Sequence, residues 1–296
     1  MDNRAAAGLA RGKTGHAMTT SPRYPVPPEA TDCHMHIYGP ATRYPVAADN
    51  PSPVPFAYDL PAYRAVQARL GLGRVVVVQP TAYGADNACT LDAVAALGAD
   101  AARAVVVVAP ETPEAELQRL HAAGARGARA FQFKGGLVPW ERLGELGARI
   151  APLGWHIQLQ FDGGEMVARE ALIRDLPCDV VIDHIGRFHE PVAVGAPPMQ
   201  ALLRLLETGR VWVKASSPYG VSRSGPPGYA DVSALARALI AAAPERVVWG
   251  SNWPHPNMAE PKPDEAGLLA LLGEWVADAA AWQAVLVGNP ARLYGF

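Results

Sequence analysis

Short apolar runs rich in β-branched residues alternate along the chain with segments whose apolar residues recur at helical spacing. Eight of the runs have the length of a strand: 32-DCHMHIY-38, 74-RVVVVQP-80, 103-RAVVVVA-109, 127-GARAFQF-133, 156-HIQLQFD-162, 179-DVVIDHI-185, 211-VWVKASS-217 and 247-VVWGSNW-253. Between them the i, i+3, i+4 pattern predicts helices, for example over 114–125, 198–209 and 232–243. Apolar strands that alternate with helices are typical of a parallel sheet covered on both faces.

Eight such strands between residue 29 and residue 296 predict a single (β/α)₈ TIM barrel. A doubly wound open sheet is the alternative, but no glycine-rich phosphate fingerprint follows the first strand. The proline-rich segment 39–59 is predicted to be a loop over the barrel mouth. Residues 1–28 lack the apolar segment of a secretory signal and are predicted to form a flexible arm, in which Met18 is an equally plausible start.

The composition changes this picture little. Of the 296 residues 50% are hydrophobic, which is enough for a large core, and no apolar run approaches the roughly 20 residues of a membrane helix. A net charge of −2 and a pI near 6.4 give no electrostatic reason to expect nucleic acid or an anionic membrane as a partner. Three cysteines without CxxC spacing indicate reduced thiols in a cytoplasmic protein.

Polar residues gather at the carboxyl ends of the predicted strands, where barrel enzymes carry their active sites. They are His34, His36, Gln79, Arg129, Gln160, Asp162, His184, Arg187, Lys214, Ser216, Asn252 and His255. A single histidine at a strand end is more often structural than catalytic, but one polar cavity explains the whole set. On the first strand, alternation predicts that Asp32, His34 and His36 face the same way.

Other polar positions have structural interpretations. Asp183 is predicted to point away from His184 and to cap the outside of the sheet. Arg126 and Arg129 differ by an odd number of residues, so one of the two should face the helices and form an ion pair there. The tail 288-GNPARLYGF-296 is expected to dock on the barrel, with Asn289 as a helix cap.

Three motifs together carry a family resemblance: 32-DCHMH-36, 183-DHIG-186 and 249-WGSNWPHP-256. From about residue 30 to its end the chain resembles the amidohydrolase superfamily, in particular the branch that contains 2-pyrone-4,6-dicarboxylate lactonase and D-galactarolactone isomerase. The resemblance implies a barrel that opens esters, amides or lactones, often with a divalent metal.

In metal-bearing members of that family the ligands come from the His-x-His motif, a middle strand and an aspartate on strand eight. The comparable positions here are His34, His36, Gln160 and Asn252. Amide oxygens are poor zinc ligands, so we expect no tightly held cofactor; if zinc is bound at all, His34 and His36 would hold it.

The resemblance and the cationic residues predict a small anionic lactone as substrate. Arg129, Lys134, Arg187 and Arg223 follow barrel strands and suit a carboxylate, while Tyr83, Tyr219, Ser216, Gln160 and His255 are candidates for further substrate contacts. We expect His34 and His36 to donate hydrogen bonds to the lactone carbonyl and His184 to be the acid and base. Asn252 cannot accept a proton as an aspartate does, and is expected to orient the nucleophile.

Three functions follow from this site. The first is a lactone hydrolase. The second is an intramolecular lactone isomerase, in which a hydroxyl of the substrate replaces water as the nucleophile. The third is a barrel that only binds its ligand.

Overall fold

The computed structural model describes residues 21–48, 50, 54, 58–256 and 258–296. Eight parallel strands follow one another in chain order around a barrel. They are β1 (Thr31–Met35), β2 (Arg74–Val78), β3 (Ala102–Val106), β4 (Ala125–Phe131), β5 (His156–Gln160), β6 (Val180–Ile182), β7 (Val211–Ala215) and β8 (Val247–Trp249). Two hydrogen bonds join the last strand to the first: Asn252 N donates to His34 O and His36 N donates to Trp253 O, both at 2.8 Å. The predicted (β/α)₈ barrel is confirmed.

Helices surround the barrel, and at least one follows each strand. Short 3₁₀ turns precede some of these helices. They are α1 (Leu60–Leu70), α2 (Ala88–Leu97), α3 (Glu114–Ala122), α4 (Leu143–Ile150), α5 (Met166–Asp175), α6 (Pro197–Glu207), α7 (Ala230–Ala242), α8 (Glu265–Trp275), α9 (Ala279–Gln283) and α10 (Asn289–Tyr294). The three helices predicted from apolar spacing correspond to α3, α6 and α7. In the described part of the chain, no helix has the length and apolar character needed to cross a membrane.

The valine-rich strands divide their side chains between two apolar clusters. On β2, Val75 and Val77 face outward and belong to the large cluster under the helices. Val76 and Val78 face inward and pack with Trp212 at the base of the barrel. This alternation is what a strand buried on both faces requires, and it leaves the upper interior for polar groups.

A bulge on β1 breaks the predicted alternation. Asp32 pairs with Val75 and Met35 pairs with Val77, so that three steps on β1 match two steps on β2. The extra residue turns both Cys33 and His34 inward and leaves Asp32 facing outward. The Asp32 carboxylate accepts hydrogen bonds from Tyr63 on α1 at 3.0 Å and from Ser251 at 2.6 Å. The prediction that Asp32 shares a face with the two histidines is therefore wrong.

The segments outside the barrel follow the predictions in part. No helix or strand occurs among the described residues of the loop 39–59, and its remaining positions lie outside the described residues. Residues 1–20 of the predicted arm also lie outside them. The following residues lie against the barrel: the Tyr24 ring is 6.0 Å from the Trp282 ring, and Trp282 Nε1 donates to Pro25 O at 2.9 Å.

The tail docks on the barrel as predicted. Leu293 and Tyr294 are buried in the cluster at its base. Asn289 has a different role from the cap that was predicted, because it is the first residue of α10 and its Nδ2 donates to Pro244 O and Val247 O, each at 2.7 Å. Its side chain thus ties α10 to the start of β8.

Candidate functional site

A cavity of about 380 Å³ opens at the carboxyl ends of the strands. Aromatic rings from β4 and the loop after it form part of its wall. Its polar lining consists of His36, Tyr38, Asn50, Thr81, Arg129, Lys134, Gln160, His184, Arg187, His189, Ser217, Tyr219 and Asn252. These side chains come from segments far apart in the sequence, as the shared-cavity interpretation of the strand ends requires.

The backbone around the cavity adopts unusual conformations where β6, β7 and β8 end. His184, Ser217, Asn252 and His255 have φ values of 56°, 51°, 59° and 57°. Non-glycine residues seldom occupy this left-handed region, and such strain clusters at functional sites. The loops after the strands therefore hold these side chains in conformations that the local sequence does not favour.

Strand alternation predicts the wrong side of the sheet for Asp183, and the left-handed conformation of His184 explains why. Instead of capping the outside of the sheet, Asp183 is buried inside the barrel, with Oδ1 3.4 Å from His34 Nδ1. Its Oδ2 accepts a hydrogen bond from Gln158 Nε2 at 3.1 Å. Asp183 and His184 are thus both part of the interior.

The histidines of β1 and β6 meet as predicted, since the ring centroids of His34 and His184 are 4.8 Å apart. His36 Nδ1 lies 2.8 Å from Val78 O, so it carries the proton and donates to that carbonyl. His36 Nε2 is then an acceptor, and it lies 3.3 Å from His34 Nε2. The close approach of β8 leaves no space for a side chain at Gly250, where a Cβ would lie 2.6 Å from that of His34.

A buried ammonium supports this pair from below. Lys214 Nζ donates to Cys33 O at 2.9 Å and to Gln158 Oε1 at 2.6 Å, and it lies 3.3 Å from His34 Nδ1. Burial lowers the pKa of Lys214 to about 8, against the opposing effect of Asp183 at 3.8 Å. A protonated Lys214 makes His34 Nδ1 an acceptor and His34 Nε2 a donor, which completes a chain of hydrogen bonds from Lys214 to Val78.

The three histidines are held in the neutral form. Burial, with Arg129 nearby, lowers the pKa of His36 to about 3. Burial lowers the pKa of His34 well below its usual value, and Lys214 adds to this effect. Burial does the same for the pKa of His184, where Asp183 opposes the shift and His34, Arg187 and Arg129 increase it. An imidazolium is therefore disfavoured at each of these positions.

Three of the four predicted cations lie around the cavity. Arg129 is buried and donates to Gln79 O and to Gln160 Oε1, each at 2.7 Å. The Arg187 guanidinium lies 5.5 Å from the Phe133 ring centroid and donates to His189 Nε2 at 3.2 Å. Lys134 also lines the cavity. Arg223 differs from them: its side chain is 65% exposed, it donates to His189 O, and it is not part of the cavity lining.

A line of hydrogen bonds leads away from the cavity through Tyr219, His255 and Glu265. Asn252 Nδ2 donates to the Tyr219 hydroxyl at 2.8 Å, and that hydroxyl is 2.8 Å from His255 Nδ1. His255 Nε2 lies 3.1 Å from Glu265 Oε1 at the start of α8. His255 is buried and is separated from the cavity by Tyr219, so it does not make the substrate contact that was predicted.

Several other predicted residues have a supporting position. Ser216 Oγ lies 2.8 Å from His184 Nδ1 and orients that ring from outside the cavity lining. Tyr83 lines a neighbouring cavity of about 300 Å³, which shares Arg129 with the main one. The Gln79 side chain donates to Gly84 O and Asp86 O, so it fixes a turn. Of Arg126 and Arg129, Arg126 is the one that faces outward, as predicted. It donates to His121 O and Ala125 O and not to the acidic partner that was predicted.

Comparison with known proteins agrees with the barrel and its strand-end histidines. A family model described as amidohydrolase matches residues 31–296. The chain belongs to the amidohydrolase family. It is 38% identical to D-galactarolactone isomerase from Agrobacterium fabrum over 93% of this chain and 94% of that protein. It is 36% identical to a 2-pyrone-4,6-dicarboxylate hydrolase from Comamonas testosteroni over 94% of each.

Among solved structures, this amidohydrolase superposes on the apo crystal structure of an Agrobacterium tumefaciens protein with a TM-score of 0.87. The two sequences are 36% identical, and the match covers 93% of this chain and 99% of the other. The arrangement of the barrel and its loops is therefore shared with an experimentally solved protein.

The residues that bring potential metal ligands together are not the set that the family pattern predicts. His34, Asp183 and His184 each bring one potential ligand atom within 4.8 Å of the others. However, the Lys214 ammonium lies 3.3 Å from His34 Nδ1 and 3.8 Å from Asp183 Oδ1, and would repel a divalent cation. Gln160 Oε1 already accepts from Arg129. These residues do not fit a divalent metal site.

Sequence reasoning missed the roles of Asp183, Gln158, Lys214 and Glu265. Strand alternation could have placed both Gln158 and Lys214 inside the barrel. Gln158 shares a face of β5 with Gln160, and Lys214 shares a face of β7 with Trp212. Nothing in the sequence near Glu265 connects this residue with His255, because the loop that brings them together follows no regular period.

Proposed function

We propose that this amidohydrolase is an enzyme that acts on a lactone bearing a carboxylate. The observation that carries the proposal is the position of His184 and Asn252 in one polar cavity that is also lined by the cations Arg129, Arg187 and Lys134. A ring ester needs a group that polarises its carbonyl, and an anionic substrate needs paired positive charge. The names of both relatives agree with such a substrate.

The roles of the histidines change from those that the sequence favours. His36 Nδ1 donates to Val78 O and its Nε2 accepts from His34 Nε2, so neither nitrogen of this ring is free to donate to the lactone carbonyl. His184 lines the cavity and is neutral, with Nδ1 against Ser216. We assign its Nε2 to the lactone carbonyl as a hydrogen-bond donor, because a neutral imidazole polarises a carbonyl without a prior proton transfer.

Asn252 favours isomerisation over hydrolysis. Its Nδ2 is committed to the Tyr219 hydroxyl, and its amide has no basic lone pair with which to activate water. In an intramolecular transfer the attacking hydroxyl is already next to the carbonyl, so orientation replaces much of the work of a strong base. Hydrolysis remains the second candidate, since the Comamonas testosteroni relative is named a hydrolase.

The chemistry of this site requires no resident metal in our proposal. Lys214 is the positive charge beneath His34, and Arg129 is the positive charge beside Gln160. His34 and Gln160 are two of the four positions at which the family pattern would place metal ligands.

The proposal is tested with a panel of lactones derived from aldaric and uronic acids together with pyrone dicarboxylates. Loss of substrate is followed by NMR, and acid release is followed by the base needed to hold the pH constant. Turnover without base uptake identifies an isomerase, and one equivalent of base per substrate identifies a hydrolase. No turnover of any carboxylate-bearing lactone, under conditions where the protein is folded, would contradict the proposal.

A further inference from the structure

The proposed reaction lacks a base, and the histidines of the cavity lining do not supply a good one. Whether water or a substrate hydroxyl attacks the lactone, its proton must go to the protein as the new C–O bond forms. His189 Nε2 is already the acceptor of a hydrogen bond from Arg187 Nε at 3.2 Å. His184 is poorly suited to accept the proton, because burial disfavours an imidazolium at that position and Asp183 opposes this effect only in part. Asn252 cannot accept it at all.

We propose that Tyr219 is the catalytic group that receives this proton, and that it passes its own proton to His255, which Glu265 positions. The inference rests on the proposed function, since it assigns a further residue to the same reaction. Tyr219 is the member of this chain that lines the cavity, and it therefore touches the substrate. His255 and Glu265 act through it.

The hydrogen-bond directions along the chain are fixed by its two ends. At one end the Asn252 amide is a donor, so the Tyr219 oxygen accepts from it and directs its own proton to His255 Nδ1, 2.8 Å away. At the other end the Glu265 carboxylate is an acceptor, so His255 Nε2 carries the proton at 3.1 Å. His255 Nδ1 is consequently an unprotonated acceptor that faces the phenol.

The direct partner of His255 Nε2 is a carboxylate, whereas that of His184 Nδ1 is the Ser216 hydroxyl. An imidazolium at His255 would be 3.1 Å from Glu265 Oε1, in a buried position where the pair is screened little by water. Glu265 remains ionised: burial raises its pKa, but the hydrogen bond from His255 and the charge of Arg69 outweigh burial and lower it. Glu265 is also the first residue of α8, where the helix dipole favours an anion.

The proton movements balance. As the nucleophile oxygen bonds to the lactone carbonyl carbon, its proton moves to the Tyr219 oxygen and the former Tyr219 proton moves to His255 Nδ1. When the ring C–O bond breaks, the same protons return in the opposite order and neutralise the leaving alkoxide. The products are an isomeric lactone if the nucleophile is a substrate hydroxyl, and a hydroxy acid if it is water. The chain is restored after each turnover.

Tyr219→Phe is the direct test, because it keeps the ring and removes the hydroxyl. We expect kcat to fall by about 10²–10⁴-fold while KM changes less than threefold. Tyr229→Phe is the matched control: Tyr229 lies in the same connection between β7 and α7 and lines a neighbouring cavity but not the main one, so kcat should stay within twofold of the wild type. A Tyr219→Phe enzyme that retains more than a third of the wild-type kcat would overturn the proposal.

Coupling distinguishes a proton relay from a structural role of Glu265. Glu265→Gln keeps an oxygen for His255 and removes the charge, and we expect kcat to fall at least tenfold in the wild type. In the Tyr219→Phe background the same substitution should change kcat less than twofold, because the chain is already broken. Equal effects of Glu265→Gln in both backgrounds would refute the relay. If the wild type itself turns over no lactone, the proposed function fails instead, so the two failures are distinct.

Discussion

Lys214 Nζ lies 3.3 Å from His34 Nδ1 inside the barrel, where both side chains are inaccessible to solvent. A lysine from β7 thus makes Nδ1 of a histidine from β1 an acceptor, and the Nε2 proton of that ring is then directed at His36 Nε2, 3.3 Å away. This relationship leads to the first prediction, because a buried ammonium couples folding to pH.

We expect part of the pH dependence of stability to come from Lys214. Its pKa is about 8 in the folded protein and 10.5 in the unfolded chain. Between these values the unfolded chain binds a proton that the folded protein lacks, so this group makes the free energy of unfolding rise with pH, by up to about 1.4 kcal/mol per pH unit. Urea unfolding at pH 8–9.5 measures the slope. In the Lys214→Met variant, the free energy of unfolding should rise less steeply with pH, by one proton. A slope equal to that of the wild type would contradict the assignment of this pH dependence to Lys214.

Acid should destabilise the protein below about pH 6.5. The pKa of His36 and that of His156 are each lowered to about 3 by burial, and burial also lowers those of His34 and His184. The unfolded chain then binds protons that the folded protein excludes, and each histidine reduces the free energy of unfolding by about 1.4 kcal/mol per pH unit within this window.

His156→Leu provides the control for the acid prediction. His156 lies against Tyr294 at the base of the barrel and not in the cavity lining, so the variant should keep its activity. Its unfolding slope between pH 4.5 and 6 should be smaller by one proton. A slope equal to that of the wild type would show that this ring titrates normally in the folded protein.

Two substitutions of His184 separate a hydrogen-bond donor from a base. His184→Ala should lower kcat by about 10²–10³-fold, the usual loss when a donor to a developing oxyanion is removed. His184→Gln places an amide N–H near the former Nε2, and should recover at least tenfold of this loss. Steady-state kinetics on a responsive lactone measure both values. Equal activity of the two variants would favour the acid–base role instead.

Arg187→Met and Arg223→Met should differ in their effect on substrate binding. Arg187 lines the cavity, and loss of a charged hydrogen bond to a carboxylate costs about 1.5–3 kcal/mol, which corresponds to a KM increase of roughly 10–100-fold. Arg223 lies outside the cavity lining, so the KM of its variant should stay within twofold. A uronic lactone without the carboxylate should be insensitive to both changes.

Metal analysis tests the proposal that Lys214 excludes a resident ion. Protein purified without chelator should contain less than a tenth of an equivalent of zinc or manganese, and dialysis against EDTA should leave kcat unchanged. Stoichiometric metal whose binding disappears in His34→Ala would refute the proposal.

The barrel was predictable because five of the eight strands, β2, β3, β6, β7 and β8, carry two or more valines, and because apolar residues recur at helical spacing between the strands. The meeting of His34 with His184 was also predictable, since the carboxyl ends of parallel strands converge. The errors have physical causes. The bulge on β1 sends Asp32 to Tyr63, and a left-handed residue after β6 brings Asp183 and His184 to the same side. Both depend on long-range packing that local periodicity does not encode.

The connections after the strands were the least predictable part. Arg223 and Tyr219 both lie in the connection after β7, yet the first is exposed and the second lines the cavity. Glu265 reaches His255 only through the path of the loop before α8. Charge and residue type identify candidates in such loops, and the fold selects among them.

The extra residue on β1 makes the catalytic pocket sensitive to chain length as well as to side-chain identity. On a regular ladder the same residues would alternate strictly, so the imidazole of His34 would face outward with Asp32, toward α1. A design that transfers this pocket to another barrel should therefore reproduce the bulge in the first strand before it reproduces any of the side chains.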